Sequence, residues 1–347
     1  MKSNRYQRQV ILPQVGEDGQ ARLAASRVLV AGCGALGCTI ADLLARAGIG
    51  YLRLVDRDLV ETTNLQRQTL YSEADVGSPK ATAAAARLSS INSTIEIDAR
   101  TADINADTIR SLADGCNVMV DGLDNFETRY LLNDLAVAQG IPYIYGGAVG
   151  TEGLSFPIMP GESSACLRCV FPEPPPPGTT PTCDTAGVLG PIIATVAAHE
   201  ALQVIKILLD HEQDLDRSLV SFDAWRNEIR RLAAPDPVEA CPCCGQRRFE
   251  WLDGRRGGTT TTLCGRGAVQ VLPDKPSRIE LADLVHRLST HGEFTVHGGV
   301  LRGQLREERN ESGQPVELTI FEDLRALIGH IDSPERARAI YDRYVGA

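Results

Sequence analysis

Short apolar runs alternating with helical stretches between residues 28 and 145 constrain this chain more than any other feature. Val28-Leu29-Val30 reads as a buried strand, and the loop Gly32-Cys33-Gly34-Ala35-Leu36-Gly37 opens a helix to about residue 47. A second strand, Tyr51-Leu52-Arg53-Leu54-Val55, ends on Asp56, and Pro79 helps to start the helix that follows it through residue 88. Strands at 95–97, 118–120 and 143–145 then alternate with helices at 106–112 and 127–138. This alternation predicts an α/β fold: a Rossmann-like, doubly wound, mostly parallel sheet with helices on both faces. Ligands in such folds sit at the carboxyl ends of the strands, where Gly32, Asp56, Asp121 and Asp124 fall.

The flanking segments are less regular. Residues 5–25 read as a polar-rich helix, and an apolar helix is expected over 192–209 with strands at 219–222 and 228–232. Pro172 to Pro181 cannot be regular structure, because proline fixes φ and lacks a donor. Composition divides the chain into a large domain over 1–250, a linker over 251–265 and a small α+β domain over 266–347. The last is expected to hold strands at 269–271, 294–296 and 318–320 and helices at 281–288 and 335–344.

An apolar share of 43% across 347 residues is that of a globular chain with an ample core. The sequence has no uninterrupted apolar run of about 20 residues and no apolar signal core at its start, which points to the cytoplasm. A formal charge of -10 without a dense Lys/Arg run argues against nucleic acid or a membrane surface as partner.

The glycine loop lies where backbone amides and a helix dipole meet phosphates, and Asp56 is spaced to bind ribose hydroxyls. A glycine turn that only packs helix on strand is the alternative. Arg67 and Lys80 could reach a triphosphate at the sheet edge, or could be solvated surface charges. Asp124 could hold Mg²⁺, which prefers one or two carboxylates plus phosphate oxygens, or could cap the next helix. Hydride transfer gives no use for these cations and carboxylates, whereas cleavage of ATP does.

Ten cysteines are many for a cytosolic chain, and four form two C-x-x-C knuckles, Cys166/Cys169 and Cys241/Cys244. That is the grammar of a tetrahedral, structural Zn²⁺ site, here stapling an antiparallel extension onto the sheet; a redox pair is the alternative. Cys243 could replace a knuckle cysteine only with unfavourable loop geometry.

Arg5-Tyr6-Gln7-Arg8-Gln9, the glycine loop, Asp56-x-Asp58, Asn64-Leu65-x-Arg67-Gln68, Gly77-x-Pro79-Lys80 and Asp121-Gly122-x-Asp124-Asn125 together resemble the ThiF/MoeB/HesA family over residues 4–247. Members adenylate the C-terminal glycine of a small β-grasp sulfur carrier protein. The resemblance implies ATP bound by Gly32, Gly34, Gly37, Asp56, Asp58, Asn64, Arg67, Lys80, Asp124 and Asn125, with Mg²⁺ on Asp124. It implies a homodimer in which Arg8 reaches the neighbouring subunit's ATP site. It also puts Cys183, after the proline-rich run, where some members join the carrier's thiocarboxylate; the alternative is a dispensable thiol, with sulfur delivered by a separate sulfurtransferase or cysteine desulfurase.

The C-terminal unit is similar to the extension on family members of thiamine biosynthesis, which favours a ThiS-like carrier over a molybdopterin one. It departs at Glu322-Asp323-Leu324-Arg325, where a glycine is expected before the arginine. Cys264 precedes this unit, whereas a rhodanese would carry its cysteine well inside. Two readings from other classes, an NAD-dependent oxidoreductase and a non-catalytic scaffold for a ubiquitin-like partner, leave the cations, the knuckles or the complete ATP motif unexplained.

Overall fold

The computed structural model describes residues 5–161, 165–174, 186–256, 260–263, 267–273, 279–310, 312–331 and 333–345. The chain divides into two compact units, Met1–Val76 with Lys80–Arg256, and Gly77–Pro79 with Gly257–Ala347.

In the first unit the elements run α1 (Gln7–Val10), α2 (Gly16–Ala25), β1 (Arg27–Ala31), α3 (Ala35–Ala47), β2 (Tyr51–Val55), α4 (Lys80–Ile91), β3 (Glu96–Arg100) and α5 (Ile109–Ala113). They continue through β4 (Val118–Asp121), α6 (Phe126–Gln139), β5 (Tyr143–Val149), β6 (Glu152–Ile158), α7 (Leu167–Val170), α8 (Gly190–Leu208), β7 (Leu219–Asp223) and β8 (Glu228–Leu232). Eight strands form one sheet in the order β3-β2-β1-β4-β5-β6-β7-β8. The first five are mutually parallel and the last three antiparallel. The doubly wound, mostly parallel sheet expected from the alternation is present, extended by an antiparallel edge.

The continuous apolar runs of β1 and β4 follow from burial on both faces. Side chains alternate across a strand: Val28, Val30, Val118 and Val120 enter one core with α3, α4 and α8. Leu29, Ala31 and Met119 enter the other with α5 and α6. Helices α3 and α6 stop at Gly48 (φ 86°) and Gly140 (φ 74°), left-handed positions suited to glycine.

Some elements differ from the sequence reading. The single helix expected over 5–25 is two, because Pro13 has no amide to donate between them. Helix α8 is long and apolar enough to cross a membrane by composition, with a mean hydropathy of 1.4. It packs instead on α3, β5 and β6 as a core helix. Trp251 and Leu252, placed in the linker by composition, are buried in the first unit because the Asp134 carboxylate accepts from both their amides.

The second unit adds β9 (Thr260–Leu263), β10 (Ala268–Val271), α9 (Leu281–Leu288), β11 (Gly292–His297), β12 (Val300–Arg309), β13 (Pro315–Phe321), β14 (Ala326–Gly329) and α10 (Pro334–Tyr344). Its six strands form an antiparallel sheet in the order β11-β12-β13-β14-β10-β9, so Thr260–Leu263 is an edge strand rather than linker. Helix α9 packs on β11 and β12, and α10 on β9, β10 and β14. In the turn before β14, Leu324 adopts φ 63°. That is the position where the sequence departs from an expected glycine, and a left-handed conformation explains why glycine would suit it.

The order of the sheet reverses between β1 and β4, which opens a crevice at their carboxyl ends. Two glycine turns meet there: a Cβ on Gly32 would sit 2.7 Å from the Gly122 carbonyl oxygen, and one on Gly37 would collide with the Gly32 carbonyl. Gly37→Ala should therefore displace the loop and destabilise the chain by about 1–3 kcal/mol, seen as a lower melting midpoint; an unchanged midpoint would show that the loop can yield.

Candidate active site and metal centre

The crevice is built from loops that brace one another. Gly32 has φ 89°, and Gly34 is the N-cap of α3, whose first turn therefore faces the crevice. Asp56, at the end of β2, is 9% exposed and accepts from the Cys33 amide at 2.7 Å and the Asp58 amide at 2.7 Å. Burial pushes its carboxyl up from the ordinary range, and the nearby Lys80 ammonium opposes this. Lys80 opens α4, is 3% exposed, and lies 3.4 Å from an Asp58 oxygen. The Tyr71 hydroxyl donates to the Cys33 carbonyl at 2.8 Å, with the Lys80 carbonyl 3.2 Å away, tying the glycine loop to the start of α4.

Other members of the motif divide in role. Asn64 is buried, and its Oδ1 accepts from the Glu61 amide at 3.1 Å, closing a capping box on a short 3-10 turn over Thr62–Asn64. Arg67, one turn on and half-buried, donates to the Thr63 carbonyl at 3.0 Å. Asn125 caps α6, its Oδ1 accepting from the Thr128 amide at 2.9 Å. The capping alternative thus falls to Asn125, and the Asp124 carboxylate stands exposed beside it.

One group the sequence reading passed over organises this edge. Arg129 of α6 is 6% exposed and donates to Asp121 Oδ2 at 2.9 Å, to the Leu123 carbonyl at 2.8 Å and to the Gly146 carbonyl at 2.8 Å. The Tyr143 hydroxyl donates to the same Asp121 oxygen at 2.7 Å. Arg129 thereby clamps the loop carrying Asp124 to β5. Its burial and its pairing with Asp121 show only once α6 is folded back on β4.

Arg8 lies elsewhere, exposed on α1. The Gln9 side chain donates to the Ala47 carbonyl at 2.9 Å, which fixes α1 at the carboxyl end of α3. The glycine loop is at the amino end of that 13-residue helix, roughly 20 Å away. An arginine side chain does not span that distance.

The two knuckles come together. Cys166, Cys169, Cys241 and Cys244 have all four sulfurs within 4.8 Å of one another. Among them Cys166–Cys241 is 3.6 Å, Cys166–Cys169 4.0 Å and Cys169–Cys244 3.3 Å. A Zn–S bond of about 2.3 Å puts tetrahedral sulfurs about 3.8 Å apart, so the geometry and the donor type fit Zn²⁺. Zn²⁺ binding would take all four as thiolates, the ion itself displacing their protons. Cys243 stands outside the set, buried and accepting from Asn133 Nδ2 at 3.2 Å. Cys183 and Cys264 lie outside the described residues.

The pattern of the ThiF family matches residues 6–243. The chain belongs to this family. It is 38% identical to the sulfur carrier protein ThiS adenylyltransferase of Bacillus subtilis, over 99% of this chain and all of that one. It is 41% identical to the SAMP-activating enzyme E1 of Haloferax volcanii, over 70% of this chain and 89% of that one. Among solved structures, E. coli MccB with ATP superposes with a TM-score of 0.61 at 25% identity, covering 70% of this chain and 74% of that one. The fold is E1-like.

Metal analysis of the purified chain should find about one zinc per chain. Cys169→Ser should lose it and melt lower, while Cys243→Ser should retain it; zinc loss from the Cys243 variant would reassign the ligand set.

Proposed function

We propose that the chain activates the C-terminal glycine of a ThiS-like, β-grasp sulfur carrier protein as an acyl adenylate, for thiocarboxylate formation on the thiamine side of sulfur metabolism. The observation that carries the choice of carrier is the extent of likeness: the ThiS adenylyltransferase aligns with the whole chain, second unit included, whereas the archaeal match stops at 246 residues. The braced crevice supports the chemistry.

A carboxylate oxygen of the carrier's terminal glycine attacks the α-phosphorus of ATP. The bond to the bridging oxygen breaks, and pyrophosphate leaves with its electron pair. A carboxylate is already a nucleophile at neutral pH, so the protein's part is positioning and charge stabilisation. The α3 amides hold phosphates, Asp56 takes the ribose, and Asn64, Arg67 and Lys80 meet the phosphate oxygens. Asp124, exposed at the crevice, would hold Mg²⁺, which when bound neutralises phosphate charge. A persulfide sulfur, carried on Cys183 or on a cysteine-desulfurase-type donor, then attacks the acyl carbon as AMP leaves, and a second thiol attacks the carrier-side acyl disulfide, releasing the thiocarboxylate and leaving a disulfide between the two thiols.

Arg8 completes the site from a second copy, in a homodimer with two composite sites. Its separation from its own glycine loop supports this, as do Ile11 and Leu12, 65% and 50% exposed on the same segment.

ATP–pyrophosphate exchange should require an added carrier with a Gly-Gly tail, and no exchange with a ThiS-like or a molybdopterin-type carrier would sink the reading. Arg67→Ala should slow exchange about 100-fold or more, the scale of losing one preorganised donor. Neither Arg8→Ala nor Asp124→Ala should be active alone. Mixing and reassembling them should restore about a quarter of wild-type exchange, because half the dimers are then mixed and carry one intact site; no recovery would place Arg8 in its own subunit's site.

A further inference from the structure

The most unusual buried group is Glu200, on α8. It is wholly buried, and neither carboxyl oxygen has a hydrogen-bond partner. Its carboxyl lies against the Cα of Gly146, so close that a Cβ there would collide with all three carboxyl atoms. The Gly146 carbonyl is one of the three acceptors of Arg129.

Two carboxyls and one guanidinium therefore converge on this stretch of β5. Helix α8 packs against α2, α3, β4, β5, β6 and β7. Among the described residues of these elements and of α6, the charged groups acting on Glu200 are Asp121 and Arg129, and the Tyr145 phenol feels Glu200 in turn. Asp121 already accepts from Arg129, Tyr143 and the Leu123 amide. One cation cannot offset two buried carboxylates, and an unpaired buried charge takes up a proton instead.

We propose that Glu200 is a positioning residue of the nucleotide site: an uncharged carboxylic acid wedged beneath Gly146, which leaves Arg129 free to hold the Asp124 loop to β5. An ionised Glu200 would compete for Arg129 and loosen its grip on the Leu123 carbonyl, next to Asp124. Burial raises this carboxyl well above the ordinary 4.5, with Asp121 adding to the rise and Arg129 opposing it. The inference deepens the ATP-site reading and rests on it for the ligand, but the protonation state can be read without any ligand.

The folded chain keeps a proton that the unfolded chain releases above about pH 4.5, so wild type loses stability as pH rises from there to the raised folded value. Glu200→Gln cannot titrate. The gap between the two should be smallest near pH 4, and the variant should gain progressively on wild type as pH rises to 8. A gap that does not change with pH would overturn the neutral-acid assignment.

Positioning is read by titrating ATP into the full chain without carrier. Glu200→Ala should weaken ATP binding about tenfold, and Glu200→Gln, which keeps the shape, should recover most of it. Affinity equal to wild type in a folded Glu200→Ala variant would overturn the role. If that variant does not fold, Glu200→Gln still decides: it should hold ATP affinity at alkaline pH where wild type weakens, and an identical fall in both would overturn the proposal. A wild type that binds no ATP would sink the adenylation reading instead, with the melting comparison still deciding the state of Glu200.

Discussion

The structure turns on a contact between two backbones. Where the sheet order reverses, the Gly32 turn after β1 and the Gly122 turn after β4 approach until no side chain fits between them. That approach sets the width of the crevice and aims the first turn of α3 into it. Two buried groups keep these turns in place: Asp56 holds one through the Cys33 amide, and Arg129 holds the other through Asp121 and the Leu123 carbonyl. Backbone approach is insensitive to side-chain fashion, which is why glycine spacing alone says "nucleotide" and no more.

The parallel half of the sheet was legible because a strand buried on both faces needs an unbroken apolar run, and Val28-Leu29-Val30 and Val118-Met119-Val120 have one. Strands β6, β12 and β14 were not read. Glu152–Ile158 carries Gly, Ser and Pro, and Val300–Arg309 carries charges on exposed positions, so neither shows an apolar signal without its partner strands. The missing glycine at Leu324 was readable as an anomaly, and the left-handed backbone there gives it a cause. Within the candidate site, the positions of Asp56, Lys80 and Asp124 beside the crevice were legible from spacing. Arg129 and Glu200 were not, because each matters only through a residue that the fold brings close: Asp121 for the first, Gly146 for the second.

The cysteine cluster solves a separate problem. Knuckles some 70 residues apart in sequence meet because α7 follows β6 while Cys241 follows β8. Arg168, inside the first knuckle and almost wholly buried, pairs with Glu250 at 3.2 Å and Glu173 at 3.3 Å. Burying a guanidinium is tolerable only with such partners. The antiparallel extension, too polar on β8 to secure itself by burial, is thus held by thiolates and a charge pair. This assigns the cluster to architecture, since four sulfurs leave no open position for chemistry.

The proposed composite site bears on the charge balance of the crevice. A triphosphate carries more negative charge than Arg67 and Lys80 can offset, and Lys80 is already paired with Asp58. Asp56 and Asp124 add further negative charge around the same crevice. The Mg²⁺ proposed on Asp124 would offset part of that charge and the Arg57 guanidinium, close enough to feel Asp58 and Asp124, a further part; a cation from a second copy would add to both. Arg8, at the far end of α3, is exposed and does not reach the glycine loop of its own chain. In the proposed dimer, importing it would couple catalysis to assembly: an isolated copy would bind nucleotide with less of its charge offset, and the step that expels pyrophosphate would be favoured in the pair.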